Sequence, residues 1–179
     1  VFFQPAEEVI GGGRPMAESG HLDDVEYLLA LHVGLDHPTG EVIAGFGGFL
    51  AVTEFSVIYG GEAAHAGMHP SEGRNAMLAA ATAIQNLFAI PRHEDGATRV
   101  NAGVIAGGTA SNIVAESVTI EGEVRGETTE LMEYMRDRAE RVLHGAGDMH
   151  DCAVSIEYDG EAPSAVSDDV IAERVAEPA

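Results

Sequence analysis

The sequence predicts an α+β protein. Its middle, residues 50–163, runs strand–helix–strand–strand–helix–strand, and pieces of a separate α/β layer flank it at 1–49 and 164–179. Three observations lead there. Apolar and polar residues alternate in several stretches of the middle, the period of a half-buried strand. Two other stretches there place Ala, Leu and Met at helical spacing. The first 49 residues instead carry solid apolar runs broken by glycine clusters, which read as buried strands with turns between them.

Taken in order, residues 1–3 (VFF) read as a buried strand that runs into Gln4-Pro5-Ala6-Glu7-Glu8. Gly11, Gly12 and Gly13 precede a short helix over about 15–19. Residues 25–33 (VEYLLALHV) form a second apolar run of strand length, and two strand-like pieces sit around Val42 and Phe49. Residues 51–59 alternate, with Val52, Phe55, Val57 and Tyr59 against Thr53, Glu54 and Ser56. Residues 72–90 predict a helix ended by Pro91. Residues 99–105 are a strand stopped by Gly107-Gly108. Residues 117–125 put Val118, Ile120, Gly122 and Val124 on one face of another strand. Thr128 is placed to cap a second helix to about residue 144, with Leu131, Met132, Met135 and Val142 among its apolar positions. Residues 152–158 are a last strand, and residues 168–175 begin a further helix. The order over about 50–163 is that of a ferredoxin-like unit, a four-stranded antiparallel sheet with two helices on one face.

Composition narrows the function classes. Nine basic residues, all Arg, face 30 acidic ones, for a net charge of −21. That excess argues against nucleic-acid binding, which needs a basic face. Hydrophobic residues make up 45% of the chain, enough for a core. The single cysteine, Cys152, excludes an internal disulfide and a Cys-cluster zinc site. No apolar run approaches the ~20 residues of a membrane helix, and the opening residues show no basic stretch with a cleavage site, so secretion is not expected. The acids are spread among apolar residues, as on a solvated surface. With lysine absent, the composition resembles that of proteins from salt-in halophilic archaea, whose self-repulsion concentrated salt screens. The expected location is the cytoplasm of such an organism.

Few residues could carry chemistry. Adjacent side chains on extended backbone point apart, so of Glu7-Glu8 one could ligate a metal while the other serves as a base; a solvated acidic turn is the alternative. His32 lies late in an apolar run, where it is either a metal ligand or a satisfied core histidine. His65 sits among small residues (GGEAAHAGMHP), which let a ligand approach the backbone closely, and could donate to a developing oxyanion; an exposed loop histidine is the alternative. Asn112 follows the GGTAS run, and Arg125 ends a strand. Arg is a natural carboxylate clamp, although in so acidic a chain Arg125 is also a candidate for a surface ion pair.

In order along the chain, FFQPAEE, LHVG, GGEAAHAGMHPSEGRNAMLAAA, GGTASNIV and EGEVRG together resemble the M20 family of metallopeptidases and amidohydrolases, in particular its aminobenzoyl-glutamate hydrolase and N-acyl amino acid amidohydrolase branch. The resemblance covers essentially the whole chain. It implies that residues 50–163 are the family's dimerisation or lid domain, inserted into an α/β metallohydrolase domain to which 1–49 and 164–179 belong. It implies Glu7 as general base, Glu8 and His32 as ligands, and two divalent ions, zinc or manganese, ~3.5–4 Å apart. It implies that His65 is offered across a dimer to stabilise the oxyanion, and that Asn112 and Arg125 hold the substrate near its carboxylate. The partners implied are a second copy or a related subunit, together with a small N-acyl amino acid as substrate. The family's remaining metal ligands lie outside these 179 residues, so the chain reads as an internal portion of such an enzyme, inactive by itself. Ala115, where relatives often have Pro, and the His69-Pro70 order depart from the family pattern, the latter weakening any role for His69. A dimerisation module that does no chemistry is the competing reading; it needs only a dimer contact through residues 50–163, whereas the hydrolase needs Glu8 and His32 to converge.

Overall fold

A computed structural model describes residues 1–7, 10–34 and 37–177. The chain divides into two compact units, Val1–Phe49 with Ala165–Ala179, and Leu50–Ser164. The first of these contains α1 (Gly13–Glu18).

The unit Leu50–Ser164 holds β1 (Ala51–Gly60), a 3₁₀ turn (Pro70–Glu72), α2 (Ala76–Phe88), β2 (Thr98–Gly107), β3 (Ser117–Gly126), α3 (Thr129–Met149) and β4 (Ala153–Ala162). The strands form one antiparallel sheet in the order β2-β3-β1-β4. Alternation decides which face is covered. Ala51, Thr53, Phe55, Val57 and Tyr59 of β1 and Val118, Ile120 and Val124 of β3 are buried. They share a core with Ala76, Ala79, Ala80, Ala83 and Leu87 of α2 and with Met132, Met135, Ala139, Leu143 and Ala146 of α3. The expected β-α-β-β-α-β unit is the observed one.

Helix ends differ from expectation for local reasons. α2 starts at Ala76 because the Asn75 side chain accepts from the Met77 amide at 3.0 Å and caps it, while Pro70–Glu72 forms a separate turn. Thr128 caps α3 by accepting from the Leu131 amide at 3.3 Å. α3 runs on to Met149, past residue 144, with Ala146 and Gly147 buried.

Within β1, Thr53 rather than Val52 has the parity of Phe55, Val57 and Tyr59. Its side chain is fully buried, and among the described residues its Oγ1 has no hydrogen-bond partner. An unpaired buried hydroxyl is destabilising. Thr53→Val is therefore expected to stabilise the chain by about 1 kcal/mol, read as a higher midpoint in urea at unchanged slope.

The other unit ends in α4 (Asp169–Ala176). Asp168 caps α4 by accepting from the Ile171 amide at 3.0 Å. Expected strands are corrected in this unit. Residues 1–3 and 25–33 form no strand, and their apolar side chains are exposed, Phe3 at 90% and Leu31 at 92%. Val42 lies outside any strand, and Phe49 makes only an isolated bridge to Ala165. An apolar run signals burial, but a strand exists only through its ladder partners, and among the described residues no segment pairs with these runs.

Candidate active site

Two histidines, one in each unit, are held in opposite hydrogen-bonding states. In Val1–Phe49, His32 Nδ1 lies 2.8 Å from the Val33 carbonyl oxygen. A carbonyl only accepts, so Nδ1 carries the proton and donates, and Nε2 of the neutral ring keeps a lone pair. That Nε2 lies 3.7 Å from Glu7 Oε1, with both side chains largely exposed. A metal-ligating imidazole is commonly braced by donating its other N–H to a carbonyl, and His32 has that brace. Glu8, the other expected ligand, lies outside the described residues, and so does its convergence with His32. Among the described residues no three His, Cys, Asp or Glu side chains group as a metal site.

In Leu50–Ser164, His65 sits in the loop between β1 and α2. The base of the loop is closed by Glu62 and Arg74, whose backbones exchange hydrogen bonds of 2.9 and 3.1 Å and whose side chains pair at 2.8 Å. The loop lies along the segment before β3: His65 bridges Ile113, Ala66 N donates to Asn112 O at 2.9 Å, and Val114 N donates to Ala64 O at 2.9 Å. This brings His65 and Asn112 together. His65 Nδ1 accepts from the Gly67 and Met68 amides, each at 3.2 Å. These two amides were not among the expected site groups; the glycine two residues after the histidine was the available signal. His69 pairs with Glu72 at 3.5 Å at the start of the 3₁₀ turn, a local contact.

Arg125 is not brought to this cluster within the chain. Its Nε and Nη2 donate to the two carboxylate oxygens of Glu123 at 2.9 and 2.8 Å. That hydrogen bonding, with the charges of Glu123 and Glu54, holds the guanidinium firmly protonated. Glu54 and Glu123 are cross-strand partners, and Arg125 relieves their repulsion. Arg125 pairs with Val52 near the Ala51/Gly126 end of the sheet, whereas the His65 loop and Asn112 lie beyond the Gly60/Ser117 end. Eight residue steps of β3 lie between Arg125 and Ser117, roughly 26 Å. One chain cannot close Asn112 and Arg125 on a single small carboxylate.

The two sheet edges differ in chemistry. β4 carries Glu157, Asp159 and Glu161 and is followed by Pro163, features that discourage pairing. β2 carries no charge from Asn101 to Gly107, and Val104 and Ile105 are about half exposed. Met77, Leu78 and Phe88 of α2, the helix packed on β2 and β3, are also exposed.

Fold and edge thus define a two-layer α+β domain with one uncharged sheet edge and a histidine loop at one end of its sheet. Residues 51–147 match the peptidase dimerisation domain of M20 peptidases, and the chain belongs to the M20 family. It is 44% identical over 164 residues to the indole-3-acetyl-aspartic acid hydrolase of Enterobacter agglomerans, covering 92% of this chain and 38% of that protein. It is 42% identical over 162 residues to a p-aminobenzoyl-glutamate hydrolase polypeptide of Escherichia coli strain K12, covering 90% and 37%. The crystal structure of an aminobenzoyl-glutamate utilization protein from Klebsiella pneumoniae superposes with a TM-score of 0.87 at 42% identity, over 96% of this chain and 44% of that one. The chain therefore spans about two fifths of the length of the curated relatives it matches. Among the described residues no helix is long and apolar enough to cross a membrane.

Proposed function

We propose that the chain is part of a metal-dependent amidohydrolase that cleaves the amide bond of an N-acyl amino acid such as aminobenzoyl-glutamate, with each active site shared between two subunits. Kinship to hydrolases of indole-3-acetyl-aspartic acid and p-aminobenzoyl-glutamate supports the substrate class. The observation that carries the reading is the opposite preparation of the two histidines: His32 offers a lone pair at Nε2 beside Glu7, and His65, in a loop whose backbone is bonded to Asn112, offers an N–H at Nε2.

His32 and Glu8 would be ligands of two divalent ions, zinc or manganese, and the braced imidazole fits such an ion. When bound, the ions would polarise the amide carbonyl and acidify the attacking water. Glu7 takes the proton of that water and passes it to the leaving amine. His65 donates through Nε2 to the oxygen on which charge develops, and Asn112 and Arg125 hold the substrate carboxylate.

The sheet supports sharing between subunits. Antiparallel pairing of two β2 edges about a two-fold axis exchanges the ends of the sheet. Arg125 of one protomer then lies at the same end as His65 and Asn112 of its partner. The uncharged β2 edge and the apolar face of α2 suit a second copy or a related subunit. The lysine-free acidic surface supports work at high salt, and activity measured across KCl concentrations reads this out.

A zinc site needs about four donors, more than Glu8 and His32 supply. The chain 1–179 incubated with zinc or manganese is therefore expected to release no glutamate from aminobenzoyl-glutamate, while the longer protein containing it does so and loses the activity to a chelator. Release by 1–179 alone would overturn the incomplete-site reading. A dimeric longer protein inert toward every N-acyl amino acid would favour the interaction module, which the self-contained core of Leu50–Ser164 also permits.

A further inference from the structure

We infer that the turn 65–68 is a tautomer lock, in which the backbone amides of Gly67 and Met68 act as positioning groups that fix the neutral His65 ring as a donor through Nε2. The inference deepens the role proposed for His65 and rests on that reading for its catalytic meaning. Its structural content stands on the hydrogen bonds alone.

Both groups facing Nδ1 are N–H donors, at 3.2 Å each, so Nδ1 can only accept. A proton on Nδ1, as in the other neutral tautomer, would face these two amide protons in place of accepting from them. The turn is itself tied down. The single Met68 N–H is shared between His65 Nδ1 and His65 O, the latter at 3.1 Å, His69 N donates to the same oxygen at 2.9 Å, and Ala66 N is bound to Asn112 O. The donors therefore cannot swing away without breaking the contact that carries the loop on the β3 side of the sheet. The ring is half-buried, so one edge is enclosed by the turn. The consequence concerns what the residue can recognise. A neutral N–H donor stabilises a developing oxyanion without itself being an acid that must give up its proton. The partner of Nε2 is an acceptor of the carbonyl or oxyanion class, and a lone-pair role at Nε2, such as binding a metal, is excluded for this histidine. His32, with Nδ1 donating to a carbonyl, has the reverse preparation, so the chain's own hydrogen bonds assign its two site histidines to different chemistry.

The test is nuclear magnetic resonance on the ¹⁵N-labelled chain 1–179, with no dependence on hydrolysis. Long-range ¹H–¹⁵N spectra of neutral His65 are expected to show Nε2 protonated and Nδ1 as the lone-pair nitrogen. Couplings across the hydrogen bonds are expected from Nδ1 to the amide nitrogens of Gly67 and Met68. Met68→Pro, which deletes one donor, is expected to move the Nδ1 shift toward that of a free imidazole. A protonated Nδ1 at neutral His65, or couplings to neither amide, overturns the inference in the unaltered chain even if Met68→Pro fails to fold. An inactive longer protein with the expected spectra would instead count against the hydrolase reading alone.

Discussion

Replacing His65 by Ala in the longer protein is expected to lower kcat by about 100- to 1,000-fold, the usual loss when one oxyanion donor is removed. KM should change far less, because the donor matters most when charge has developed on the oxygen. Thermal stability should hold, since the ring is only half-buried and sits in a loop outside the core. Arg125→Ala should act differently. A clamp on the substrate carboxylate binds ground state and transition state alike, so its loss raises KM. The two variants also test the shared site. With His65 and Arg125 contributed to one site by different subunits, mixed dimers of the two variants contain one site with both residues intact and one with neither. At substrate well below the raised KM, where both variants are impaired, random re-association of the two proteins should then recover about a quarter of the unaltered activity. No recovery, with mixed dimers demonstrated, would show that both residues serve the same subunit's site.

The largest stability effect is expected at Gly126. This residue ends β3 where the chain turns toward α3, and a Cβ there would collide with the backbone of Leu131 and Met132 and with the Thr128 carbonyl. Backbone atoms of a capped helix cannot give as a flexible side chain can. Gly126→Ala is expected to cost about 3 kcal/mol, the upper part of the overpacking range. For a domain of this size the loss should lower the melting midpoint by roughly 10 °C, read by circular dichroism. Gly145→Ala is the control. Gly145 lies within α3, is exposed, and has open space where its Cβ would stand. That change should stabilise by about 0.5–1 kcal/mol, because alanine loses less backbone freedom on entering a helix. A neutral Gly126→Ala would show that α3 can shift on the sheet.

The central unit was legible because each of its elements satisfies its own pattern inside 115 residues that bury one another. The alternation around Ile120 and the capping signal at Thr128 each required only local reading. The apolar runs of the first 49 residues misled for the opposite reason. Hydrophobicity reports that a segment is to be covered, whereas strand geometry depends on what covers it, and Leu31 and Phe3 have no such partner among the described residues. By residue type Thr53 groups with Glu54 and Ser56, but its parity in β1 carries it into the core.

The site divides the same way. Sequence alone determined which residue types stand at positions 7, 32, 65, 112 and 125, the pattern of the central sheet unit and the family, because these follow from local order along the chain. Only the tertiary structure decided that His65 and Asn112 meet while Arg125 stands at the far end of the sheet, and which nitrogen of each histidine is free. Those outcomes depend on strand register and on backbone groups that every residue possesses, so no choice of side chain announces them in advance.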